Sequence, residues 1–279
     1  MSNHGRGRGM PAIAVRLFSS AIFLLTTFCA SGKALAQSDL AEIRMGYVRQ
    51  IAERPPNLSN LIEPPENEGF AGGRLSVKDN NTTGRFLKQS FTLQELDVPV
   101  GEDALPGFIG MMDEGVTFFV VDAPADVLLK MSDAARGREV VLFNVNATDD
   151  RLRAQDCRQN VMHIVPSRSM YTDALAQFLV WKKWRNWLLV TGPEERDKLF
   201  AEAVRKSARK FGAKIVDERT WDFGGDARRT AQAEVPAFTQ GVEYDILIVE
   251  DELGVFVEYL LFRTWDQRPV AGTQWLNPS

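Results

Sequence analysis

From Ile43 nearly to its end, the chain alternates short apolar runs with stretches whose apolar residues recur every three to four positions. Ile43 to Val48 reads as a first strand, and Pro55-Pro56 and Pro64-Pro65 block regular structure after it. A weak helix is predicted over 67–87, with Gly72, Gly73 and Asn80-Asn81 inside it, followed by a strand from Ser90 to Leu96. Then come a helix near 103–114, the apolar strand Val116 to Val121, a helix near 124–136 and a strand from Glu139 to Phe143. The polar loop Asn144 to Asp150 interrupts this rhythm, and Val161 to Val165 resumes as strand.

A second series begins with a helix over 169–184, predicted to carry Tyr171, Leu175, Phe178 and Leu179 on one face. The strand Trp187 to Thr191 follows, then the clearest helix of the chain, 194–211, whose Phe200, Ala203-Val204, Ser207-Ala208 and Phe211 recur at helical spacing. Pro193, Glu194 and Glu195 suit its start; Arg209, Lys210 and Gly212 suit its end. A strand at 213–218, a helix near 227–238, the strand Tyr244 to Val249, a helix at 252–264 and a short strand at 269–272 complete the pattern.

Strands as continuously apolar as Val116-Thr117-Phe118-Phe119-Val120-Val121 belong to parallel sheets covered on both faces. Two consecutive βα series therefore predict an α/β protein with two doubly wound lobes, each with a parallel sheet. Ligands of such sheets sit beyond the carboxyl ends of the strands, where the strand order reverses.

Composition changes this picture at the amino end. Arg6, Arg8 and Arg16 precede a largely apolar Leu17 to Ala30, and Ala34-Leu35-Ala36 supplies a small-x-small cleavage pattern. Residues 1–36 are thus expected to be a signal peptide cut after Ala36, with a periplasmic product; 37–165 would form the first lobe and 166–279 the second. The leader carries Arg6, Arg8, Arg16 and Lys33 and no acid, so its loss takes the net charge from −4 to −8. A chain this acidic is poorly suited to phosphate backbones or anionic lipid surfaces, which sets nucleic acid aside as a partner.

Candidate chemistry is sparse. Cys29 leaves with the leader, so Cys157 has no disulfide partner within the chain, and His163 is the only histidine left. One Cys and one His cannot make a structural zinc site; they read instead as a buried thiol and a strand histidine. No phosphate-binding glycine loop and no G-x-S-x-G elbow occurs, so neither a cofactor nor a catalytic function is expected. Trp181, Trp184 and Trp187 read as packing at a helix–strand junction.

The segments Val161-Met162-His163-Ile164-Val165-Pro166, Trp187-Leu188-Leu189-Val190-Thr191-Gly192, Phe211-Gly212-Ala213-Lys214-Ile215-Val216 and Asp245-Ile246-Leu247-Ile248-Val249 resemble the leucine/isoleucine/valine-binding class of type I periplasmic binding proteins. Asp245-Ile246-Leu247-Ile248-Val249-Glu250-Asp251-Glu252 and Arg268-Pro269-Val270-Ala271-Gly272-Thr273-Gln274 are similar to a branch that accompanies PQQ-dependent alcohol oxidation. The resemblance implies a monomeric solute-binding component of an ABC-type importer. It would hold a small molecule between its lobes and deliver it to an inner-membrane permease. A sensor of the same fold, or a truncated copy without function, are the alternatives.

Three departures qualify that expectation. Arg49 to Pro56 stands where such proteins carry a Ser/Gly-rich loop, and Asp122-Ala123-Pro124-Ala125 stands where hydroxyl donors usually hold a carboxylate. An acid there repels a carboxylate unless it is protonated or bridged, which argues against a standard amino-acid ligand. The resemblance to the alcohol-oxidation branch implies instead an alcohol-derived acid, a related small organic molecule or the quinone cofactor itself. The chain also stops at Ser279, short of the usual return crossover. Strand-end polar residues are the candidates for the cleft: Asp122, Asn146 and Thr148 from the first lobe, Tyr171 at the entrance to the second, and Glu250 and Asp251 after its last long strand. The plainer alternatives are that Asn146 and Thr148 close a turn, and that Glu250-Asp251-Glu252 favours the amino end of the next helix.

Overall fold

The structure, a computed structural model, describes residues 40–50, 65–221, 235, 237–251, 256–257, 260 and 268–272. The leader, the Pro55-Pro56 loop, and most of the helices expected near 227–238 and 252–264 lie outside the described residues. The first half runs β1 (Ala41–Gln50), α1 (Phe70–Leu87), β2 (Gln89–Val98), α2 (Leu105–Asp113), β3 (Phe118–Asp122), α3 (Ala125–Ala134), β4 (Val141–Asn144), a 3₁₀ turn (Asp150–Arg153) and β5 (Val161–His163). The second runs α4 (Arg168–Trp181), β6 (Asn186–Thr191), α5 (Glu195–Phe211), β7 (Lys214–Thr220), β8 (Ile246–Glu250) and β9 (Val270–Gly272).

All pairings are parallel, in the orders β2-β1-β3-β4-β5 and β7-β6-β8-β9. This is the expected α/β architecture of two doubly wound sheets. In each sheet the chain adds one strand to one side and then crosses back to build on the other. The order therefore reverses between β1 and β3, and again between β6 and β8.

The central strands show why apolar continuity predicts burial on both faces. In β6, Trp187 and Leu189 point into a cluster with Ala176, Leu179, Ala201, Val204 and Ala208. Leu188 and Val190 point the other way, into a cluster with Trp221, Val235, Phe256 and Leu260. Every residue of β8 is buried. Each fully buried aliphatic side chain contributes roughly 1.5–3 kcal/mol of transfer free energy, so these two strands anchor the second sheet. In the first sheet Val48, Phe119, Val121 and Leu142 pack against Phe108 and Met111 of α2 and Leu128 and Met131 of α3.

α5 is delimited as the sequence suggests. Glu194 and Asp197 form a reciprocal capping box, and Gly212 ends the helix in the left-handed region at φ 74°. α4, in contrast, turns inward only part of the face expected: Leu179 is buried and Leu175 packs against the same cluster, but the two aromatic residues do not. Its buried residues are Arg168, Thr172, Ala176 and Leu179, while Phe178 and Tyr171 are exposed. Small residues win this contest. Ala176 sits among Ala201, Val204 and Ala208 of α5, and the Thr172 and Ser207 hydroxyls hydrogen-bond at 2.9 Å, an approach that an aromatic ring would prevent. Trp187 is buried and donates its indole N–H to the Trp184 carbonyl at 2.8 Å, as junction packing requires, but Trp181 is 72% exposed and takes no part in it. Cys157, expected to be a buried thiol, is exposed.

The two halves are tied at the start of α4. The Arg168 amide donates to the Thr148 carbonyl at 2.9 Å, and its guanidinium meets Asp149 at 3.1 Å. The Ser169 amide and hydroxyl both donate to the Asp150 carboxylate, at 3.0 and 2.7 Å.

Candidate functional site

Strands that run parallel deliver their last residues to one edge, and the two reversal points choose which strand ends lie side by side. At the first, Arg49 of β1 is the register partner of Asp122 of β3. Arg49 grips Asp97 with two nitrogens at 2.9 and 2.6 Å and donates to the Glu68 and Glu66 carbonyls, each at 2.8 Å. Its guanidinium also lies 4.6 Å from the centroid of the Phe70 ring. Five donors in a planar fork can meet all of these demands; a lysine could not.

Asp122 is half-buried and accepts hydrogen bonds from the Asn146 side chain and the Tyr47 hydroxyl. Burial holds its carboxyl above the usual carboxylate range, and the Asn146 bond and the Arg49 charge offset only part of that. Burial, reinforced by the charge of Asp122, pushes the Tyr47 phenol up to about 12. The polar loop beyond β4 is shaped by Asn144, whose side-chain oxygen accepts from the amides of Asn146 and Ala147 at 3.2 and 2.9 Å.

At the second reversal point Thr191 of β6 is the register partner of Glu250 of β8. Glu250 and Asp251 are 1% and 2% exposed, and Asp197 of α5 is buried with them. Burial, with a smaller contribution from the Asp197 charge, pushes the Glu250 carboxyl up to about 8, so it is mostly neutral at pH 7. Gly192 makes room for this acidic group: a Cβ there would stand 2.3 Å from Asp197 Oδ2 and 3.5 Å from Asp251 Oδ1. Asp251 accepts the Phe256 amide at 2.7 Å, the helix-start role weighed for this segment. Two buried atoms at this edge, Thr191 Oγ1 and Glu250 Oε2, have no hydrogen-bond partner among the described residues.

The six candidates therefore divide. Asp122 and Asn146 are joined directly, and Glu250 and Asp251 stand together at the other edge. Thr148 lies at the junction between the halves, where its carbonyl receives Arg168. Tyr171 is in the first turns of α4, exposed, and its hydroxyl bonds to neither group among the described residues. Sequence reasoning passed over Tyr47, Arg49, Thr191 and Asp197. Arg49 and Thr191 carried the signal that picked out Asp122 and Glu250, a polar residue closing an apolar strand; Tyr47 and Asp197 carried none. Among the described residues, no three His, Cys, Asp or Glu side chains are placed to hold a metal ion.

A sequence model described as periplasmic binding protein matches residues 104–233, just under half of the chain. No curated protein matches the chain in sequence. Solved structures match over most of it. The ABC transporter substrate-binding protein from Desulfitobacterium hafniense in complex with Leu is 16% identical, with 84% of this chain and 67% of that chain covered, at a TM-score of 0.58. The branched-chain amino acid transporter substrate-binding protein LivJ from Streptococcus pneumoniae, in complex with isoleucine, is 19% identical, with 83% and 64% covered, at 0.59. An ABC transporter solute-binding protein from R. palustris in complex with benzoate is 16% identical, with 85% and 63% covered, at 0.55. The chain thus spans about two thirds of the length of these neighbours, and at such identities the likeness speaks to architecture. With the strand orders above, it establishes the fold as the type I periplasmic binding fold.

Proposed function

We propose that this chain is the solute-binding component of an ABC-type importer, and that it holds a small organic molecule between the two strand-end edges. The observation that carries this reading is a pair of buried polar atoms, Thr191 Oγ1 and Glu250 Oε2, on register partners at the second reversal point, neither with a hydrogen-bond partner among the described residues. A buried polar atom without a hydrogen bond costs roughly 1–3 kcal/mol, and a ligand that supplies the missing bond recovers it. The fold and the solutes bound by its structural neighbours, leucine, isoleucine and benzoate, support the same reading.

The ligand class follows from the charges. Asp122 on one edge and a mostly neutral Glu250 on the other favour a molecule that presents hydroxyl or other donor groups over a bare carboxylate. An alcohol or another uncharged hydroxylated molecule fits, in line with the resemblance to proteins that accompany PQQ-dependent alcohol oxidation. Residues 37–165 and 166–279 are the two lobes in this proposal, with residues 1–36 directing export to the periplasm. Closure of the lobes on the solute would mark the form that the permease recognises.

A thermal-shift panel of leucine, benzoate, short alcohols and their hydroxy acids tests the reading. The expected result is a shift with a hydroxylated compound, lost in T191V, with the compound recovered unchanged. Turnover of the compound, or a leucine shift as the sole response, overturns it.

A further inference from the structure

The edge of the second sheet opposite the candidate site gathers positive charge in a chain whose net charge is −4. Parallel topology explains the gathering. The carboxyl ends of α4 and α5 and the amino ends of β6 and β7 all arrive at this pole, bringing Lys182, Lys183, Arg185, Arg209, Lys210 and Lys214 together. The Lys214 amide donates to the Arg185 carbonyl at 2.7 Å, and the Lys210 ammonium reaches Asp173 of α4 at 2.5 Å, so these segments adjoin. All six cations are exposed, and Lys182, Lys183, Arg185, Arg209 and Lys214 have no carboxylate within ion-pair distance among the described residues.

Cations near helix carboxyl ends also suit the helix dipole, which accounts for Arg209 and Lys210. It does not account for the aromatic rings beside them. Trp181 is 72% and Phe178 50% exposed, their ring centroids are 6.0 Å apart, and the Lys182 ammonium lies 5.0 and 5.6 Å from the two ring centroids. Lys183 holds a left-handed backbone at φ 67°, a position that glycine fills without strain. Between the carboxyl end of α5 and β7, an open hollow of about 410 Å³ is lined by Arg205, Arg209 and Lys214, together with Asp217 and Glu218. Arg205 is spent on Glu218.

We propose that this pole is a docking surface for an anionic phospholipid membrane, with Trp181 and Phe178 entering the headgroup layer and the surrounding cations meeting the lipid phosphates. Exposed tryptophan set among lysines is the chemistry of the membrane interface, where the ring sits at headgroup level and each nearby cation adds attraction to anionic lipid. Two exposed rings are too little apolar surface to form the core of a stable protein–protein interface. Among the described residues no helix is long and apolar enough to cross a membrane. The whole-chain acidity that argued against anionic lipid is an average, and it does not describe the local cluster of cations at this edge.

Co-sedimentation of the full chain with phosphatidylcholine vesicles, with and without phosphatidylglycerol, tests the proposal. K182E/K183E is expected to weaken binding to the anionic vesicles more than tenfold, at about fivefold per charge removed. W181A should weaken it severalfold, and raised salt should weaken the parent and W181A far more than K182E/K183E. K183G separates surface from fold, because relief of the left-handed strain should raise Tm while binding falls. Any contribution from the apolar leader is common to all variants and cancels. Binding unchanged by K182E/K183E and W181A overturns the proposal. So does equal loss on anionic and zwitterionic vesicles, or capture of an acidic protein through this surface by a chain that ignores vesicles.

Discussion

The two reversal points share one topology and use it in opposite ways. At the first, Arg49 and Asp122 stand side by side and each is held by several partners: Asp97, two carbonyls and the Phe70 ring for Arg49, Tyr47 and Asn146 for Asp122. At the second, Thr191 and Glu250 stand side by side, more deeply buried, and each has a polar atom that nothing among the described residues satisfies. A networked edge is preorganised and rigid; an under-satisfied one stores a demand for hydrogen bonds. The pairing of the two teaches that strand order alone locates a site, while the side chains decide whether it braces the fold or waits for a ligand.

Substitutions can break this contrast. The largest effect is expected at Arg49, where alanine removes a forked ion pair with the exposed Asp97, two hydrogen bonds to the Glu66 and Glu68 carbonyls and the contact with the Phe70 ring. R49A should lose about 2–3 kcal/mol in urea denaturation, and R49K should restore less than half of that. A loss under 1 kcal/mol would mean that the first edge is not the brace described.

At the second edge, pH is the lever. The Glu250 carboxyl has a folded value of about 8, above its ordinary 4.5, so the folded state holds this proton more tightly than the unfolded chain does. Its stabilising contribution is complete below about 4.5 and is lost as pH rises toward 8, at about 1 kcal/mol per pH unit. E250Q should flatten that decline. Parallel stability–pH curves for parent and variant would show that Glu250 is not held neutral.

Gly192→Ala crowds a methyl group against Asp197 and is expected to cost about 1–3 kcal/mol, as overpacking does, and to weaken solute binding. The smallest stability effect, and the sharpest test, belongs to Thr191→Val. Replacing a buried hydroxyl that has no partner among the described residues with a methyl of the same shape should leave stability unchanged or raise it by up to about 1 kcal/mol. If the hydroxyl serves a solute, affinity should nonetheless fall about tenfold in calorimetry. Loss of stability instead would reveal a structural partner for that hydroxyl.

Much of the fold was legible because its signals are local. β6 and β8 announce themselves as apolar runs, and α5 by its Glu194–Asp197 box and terminal Gly212. α4 was misread because its inward face is chosen by α5: Ala176 and Thr172 fit against Ala208 and Ser207, while the larger Phe178 and Tyr171 turn out to solvent. Within the candidate site, Asp122 and Glu250 could be found from their place at the ends of apolar strands. Tyr47 could not, because it reaches Asp122 only through the pairing of β1 with β3, which are separated in sequence by α1, β2 and α2.

The sequence by itself determined the alternation of strand and helix, the caps of α5 and the parallel, doubly wound class. Each follows from periodicity and from groups a few residues apart. Only the tertiary structure decided which strand ends become neighbours, that Arg49 and Asp122 are satisfied while Thr191 and Glu250 each keep a polar atom without a partner among the described residues, and that the cations of two helices and two strands meet at one pole. Those outcomes depend on crossovers that bring distant residues into register. The energy of a buried polar group or a surface charge is set by the neighbours it meets there.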